Sequence, residues 1–203
     1  MKHLLTFFLV GMIGIMSVNM SYSQAVDDRA VVPVSVTLNS ILRLNVESGG
    51  NIEFNFNTLS QYENGIANST EYDTKITIAS SVNWDLRMGA EDPYLVASGQ
   101  SDTAGTNMPL DHVGYQIEHT GTVGLDYTIN SDGNTTSLQE LSSIADGSEQ
   151  IQNAGTNAGG GDYNEFTVHW ECGTTDTDGG LLLGSPLTGG RYSSNVFFVL
   201  QPD

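Results

Sequence analysis

Apolar residues recur at every second position in a series of short runs along this chain. Val32, Val34, Val36 and Leu38 form one run, and Leu42, Leu44 and Val46 the next. Ile52, Phe54 and Phe56 alternate with Glu53, Asn55 and Asn57. The same pattern returns at Ile76 and Ile78, at Trp84, Leu86 and Met88, and at Val113, Tyr115 and Ile117. It closes with Leu125, Tyr127 and Ile129, and with Phe166, Val168 and Trp170. A period of two places successive side chains on opposite faces of a strand. Gly, Asn, Ser, Thr and Asp fill the joints. Such runs predict an all-β antiparallel β-sandwich, immunoglobulin-like or jelly-roll-like, of about 8–9 strands.

The last run is the most apolar. In "GGRYSSNVFFVLQPD", one face carries Tyr192, Ser194, Val196, Phe198 and Leu200, and the other Ser193, Asn195, Phe197 and Val199. From Val196 onward both faces are apolar. This predicts a strand covered on both sides, or one whose edge is taken by something else.

At most one short helix is expected. "SLQELSSIADGSEQIQ" places Leu138, Leu141, Ile144 and Ala145 at helical spacing, with Gly147 to end it. "NAGTNAGGGDYNE", residues 153–165, reads as a flexible glycine-rich loop.

The first residues have the form of a secretory signal. Lys2 and His3 precede an apolar run from Leu4 to Met16, and Ser21 and Ser23 sit at −3 and −1 of a cut before Gln24. That run is shorter than the ~20 residues a spanning helix needs, so no transmembrane anchor is expected. Residues 1–23 are then the leader, 24–39 an N-terminal extension and 40–203 a single domain. The formal net charge is −18, and Lys75 is the only lysine after the leader. Such a chain repels nucleic acid and anionic membrane surfaces. Cys172 is the only cysteine, so no disulfide forms within the chain, and it reads as a small buried apolar residue.

Catalytic motifs are absent. His112, His119 and His169 form no HExxH pair, and there is no G-x-S-x-G elbow or Walker loop. No enzyme is expected and no resident cofactor. Asp176 and Asp178 in "TTDTDGG", and Asp132 and Asn134 around Gly133, are weak calcium candidates. Both lack the closing glutamate of an EF-hand loop, and ordinary Asp-Gly turns account for them. Asn68-Ser69-Thr70 and Asn134-Thr135-Thr136 match the glycosylation triplet, which carries meaning only in a eukaryotic source. Trp84 and Trp170 follow the apolar parity of their strands and are expected in the core.

The two ends of the chain belong together. Val32, Val34, Val36 and Leu38 alternate ahead of the first body strand, and Pro33 confines that run to an edge or an unpaired side. This extension, with the ending in which Gly190 and Tyr192 lead into Val196, Phe198 and Leu200, resembles chaperone–usher pilins and the related spore-coat-like fimbrial subunits. The resemblance implies an exported immunoglobulin-like sandwich lacking one strand, completed by the extension of a neighbour. It also implies passage through the periplasm of a Gram-negative bacterium to the extracellular face. The chain departs from the pattern in having no disulfide. Burying the four extension residues contributes about 1.5–3 kcal/mol each, roughly 6–12 in all as an upper bound, against about 5–15 kcal/mol for a whole domain.

The leading expectation is a non-enzymatic filament subunit that self-associates by strand exchange through Val32, Val34, Val36, Leu38, Tyr192, Val196, Phe198 and Leu200. Pairing of Val32–Leu38 within its own molecule stays open. The competing expectation is an adhesin-like module for surface glycans or proteins, with Tyr62, Tyr72, Tyr94, Tyr115 and Tyr163 exposed on one face.

Overall fold

The computed structural model describes residues 32–98, 107–122, 126–130, 137–147 and 149–203. The expected leader, Leu125, and Asp132, Gly133 and Asn134 lie outside them. The chain divides into two units, Met1–Leu38 and Asn39–Asp203. Within the first, Val32–Leu38 has no assigned strand, and Val32, Val34, Val36 and Leu38 are 78–89% exposed.

The second unit is an all-β sandwich. One sheet contains β1 (Leu42–Ser48), β2 (Asp73–Ser80), β6 (Val113–His119), β8 (Gln139–Glu140) and β10 (Glu165–Cys172), in the order β1-β2-β10-β6-β8. A second contains β3 (Trp84–Ala90), β7 (Tyr127–Ile129), β9 (Glu149–Asn153) and β12 (Val196–Pro202), in the order β12-β3-β9-β7. A small third sheet joins β4 (Tyr94–Ala97), β5 (Met108–Pro109) and β11 (Tyr192–Ser193), with β4 in the middle. Every ladder is antiparallel. The twelve strands among the described residues exceed the expected 8–9 because several are two-residue pieces without a periodic signal.

The core follows the predicted parity. Ile76, Ile78, Ile117, Phe166, Val168 and Trp170 from the first sheet meet Trp84, Leu86, Met88 and Ile151 from the second. Trp84 lies edge-on to Phe166, with ring centroids 6.1 Å apart. The aromatic pair contributes about 0.5–1.5 kcal/mol beyond its buried area.

Two sequence expectations are corrected here. Residues 138–147 form no helix: Ala90 N donates to Ser142 O and Ile144 N donates to Ala90 O, so this backbone bonds to β3 rather than to its own preceding turn. The α-helix is instead α1 (Leu59–Asn64), started by a capping box in which Thr58 and Gln61 each satisfy the other's backbone N–H. The glycine-rich stretch 153–165 is packed. The Asn157 side chain accepts from Trp84 N (3.0 Å) and donates to Trp84 O (2.7 Å), standing in for a missing neighbour strand.

Candidate functional site

The terminal strand is not the continuous Tyr192–Leu200 element that its alternation predicts. Ser194 and Asn195 break it. Tyr192 joins β4 in the small sheet, while β12 joins β3. Nor is β12 covered on both sides. Val196, Phe198 and Leu200 pack half-buried on the core, whereas Phe197 and Val199 face outward and are exposed.

β12 is an edge strand with β3 as its one ladder partner among the described residues, and β1 likewise pairs only with β2. These two edges, one from each main sheet, approach one another. Here the sandwich is open. Val46 shares the inward parity of Leu42 and Leu44 yet is 40% exposed.

Beyond β1 the seam continues along residues 51–57. Gly49 turns the chain there with φ +67°, and its Cα lies so close to Asp73 O that an added Cβ would sit 1.9 Å from it. Ile52, Phe54 and Phe56 then alternate inward against the core, while Glu53, Asn55 and Asn57 are exposed. Phe54 stacks on Tyr72 with centroids 4.6 Å apart, and Phe56 tilts against Tyr62 at 5.4 Å. The burial is that of a strand, but the ladder is missing: the backbone of Ile52–Phe56 makes no hydrogen bond to a described residue. Arg191 and Glu53 form an ion pair at 3.8 Å and tie this segment to the chain entering β11. Two extended segments of the seam, β12 and residues 52–56, thus each lack a ladder partner on one side or both among the described residues and keep a half-covered apolar row.

A second candidate lies on the outer face of the five-stranded sheet. An open depression of about 360 Å³ is lined by Asn68, Ser69, Thr70, Asp73, Gln116, Glu118 and His169. His169 Nδ1 meets Asp73 Oδ1 at 2.6 Å, and its Nε2 meets Glu118 Oε2 at 3.2 Å. Both ring nitrogens are engaged by carboxylates, which leaves neither free to activate the hydroxyl of Ser69 or Thr70.

Asp176 and Asp178 are exposed, and the Asp178 N–H donates to Glu140 Oε1. Among the described residues, no group of three or more His, Cys, Asp or Glu is arranged to hold a metal ion. Burial holds the Glu140 carboxyl above the usual range, and the nearby charges of Asp178, Asp111 and Glu171 add to the rise. The five tyrosines do not form one row: Tyr115 is buried, Tyr72 and Tyr94 are half-buried, and only Tyr62 and Tyr163 are exposed. No helix among the described residues is long and apolar enough to cross a membrane.

No family model matches this chain, and no curated protein matches it.

Proposed function

We propose that this chain is the subunit of an extracellular filament in which Val32–Leu38 of one copy fills the seam of the next. One observation carries the reading: residues 52–56 have the burial alternation of a sheet strand but no ladder partner among the described residues, and β12 keeps a free edge. A strand added along either free edge gains main-chain hydrogen bonds and covers part of the half-exposed apolar row beside it. Val32, Val34, Val36 and Leu38 supply an apolar row of the right period, and they are exposed in the isolated chain. Strand addition of this kind draws affinity from main-chain bonds and specificity from alternate side chains. Because donor and acceptor are different surfaces, assembly is heterologous and generates an open filament.

Electron microscopy of the native extracellular fraction tests this reading. Filaments that label with antibody to the chain support it; labelled material consisting of single globular particles opposes it.

A further inference from the structure

The geometry of the second unit assigns a body-to-body interface to this filament: we infer that the apolar tip formed by Leu59, Tyr62 and Leu183 docks against the opposite end of the next copy, at Ile41. The inference rests on the strand-exchange reading.

The two ends of the sandwich are distinct. At one end Ile41 N donates to Ser81 Oγ (2.8 Å), Ser81 N to Ile41 O (2.9 Å) and Asp203 N to Asn83 O (3.0 Å). The N-terminal extension leaves and β12 finishes there. At the other end, Ile66 bridges Cys172 at the close of β10, and Gly65 packs on Gly173. α1 lies at that far end, beyond the eight-residue β10, which is itself about 23 Å long. Leu59 and Tyr62, one helical turn apart, are 64% and 36% exposed, and Leu183, whose N–H donates to Tyr62 O at 3.1 Å, is 51% exposed. Ile41 at the near end is 61% exposed.

A short tether brings these surfaces together. β12 runs toward the near end, because Val196 lies opposite Ala90 and Pro202 opposite Trp84. A donor antiparallel to β12, the more stable pairing, therefore runs toward the far end and leaves the acceptor at the end of the sandwich where α1 lies. Only three residue steps separate Leu38 from Ile41, at most about 10 Å. With Leu38 seated in the seam, the donor's own body abuts the acceptor's tip, and Ile41 reaches Leu59, Tyr62 and Leu183. Parallel insertion would instead juxtapose two like ends and leave the apolar tip uncovered.

Cross-linking tests this on the full chain. A variant carrying Ile41→Cys and Tyr62→Cys is assembled and treated with a short bis-maleimide, with each single variant as control; Cys172 is buried in all of them. The expected result is a covalent ladder that survives boiling, given by the double variant alone. A ladder that appears without boiling but leaves no covalent species after it would keep strand exchange and overturn the docked tip. Absence of any ladder with or without cross-linker would overturn both. Separately, Leu59→Ser with Leu183→Ser is expected to leave assembly intact while making filaments several-fold more flexible in micrographs; filaments as stiff as those of the parent chain would overturn the interface.

Discussion

Leu200 in β12 stands directly opposite Leu86 in β3, yet Leu86 is fully buried and Leu200 keeps part of its surface open. The ladder gives the two residues the same register but different neighbours. β3 has a strand on each side; β12 has one. The difference between the two leucines measures what the seam lacks.

Truncating them separately exposes that difference. Leu86→Ala is expected to cost about 2–5 kcal/mol in urea unfolding of the monomer, the range for a fully buried leucine. Leu200→Ala is expected to cost clearly less in the monomer. Its cost should approach that of Leu86→Ala in assembled material, where the seam is filled.

Asn157 sets the stability of the second sheet. Its side chain accepts from Trp84 N and donates to Trp84 O, and its own carbonyl accepts from Trp84 Nε1 at 2.9 Å, all in a buried setting. Asn157→Ala leaves two buried backbone groups of Trp84 without partners, at about 1–3 kcal/mol each. A thermal melt of the monomer should shift down accordingly, with Asn157→Asp also lower because the carboxylate cannot donate to Trp84 O.

Glu140 makes the fold less stable as pH rises. Its folded carboxyl is held above the ordinary value of 4.5, chiefly by burial. The folded state therefore binds the proton more tightly than the unfolded state, and stability is lost as pH climbs from the unfolded value through the folded one. Glu140→Gln keeps an oxygen for the Asp178 N–H and removes the charge. The variant should melt higher than the parent at pH 7, and the gap should close near pH 4. Equal melting temperatures at pH 7 would count against this assignment.

Cys172 reports global unfolding. Burial pushes its thiol up to about 12, with the neighbouring Glu171 charge adding to the rise. Alkylation at pH 8 should be negligible in the native chain and rapid in urea, since the thiolate is the reactive form. Labelling that proceeds without denaturant would show that the β10 end opens locally.

The core was legible because its signal is local. Trp84, Leu86 and Met88, or Phe166, Val168 and Trp170, announce their buried faces through parity alone, and the structure places them there. β8 and β9 were not legible: "QE" holds no apolar residue, and "EQIQN" holds only Ile151. The helical spacing of Leu138, Leu141 and Ile144 is real, but Ala90 captures that backbone from a distance of about fifty residues in sequence, which no local pattern records. The true helix did leave a mark, the Thr58-x-x-Gln61 capping box. The seam was half legible. Alternation in Ile52–Phe56 is written in the sequence, and so is the apolar run Val196–Leu200, but which faces are covered and whether such a strand finds a partner are properties of the assembled sheets.

The most direct test of the seam compares the molar mass of two exported chains by light scattering, one intact and one lacking residues 32–38. The account predicts a polydisperse, heat-dissociable assembly for the intact chain and a monomer for the shortened one. A single monomeric mass for the intact chain, unchanged by heating, would contradict it.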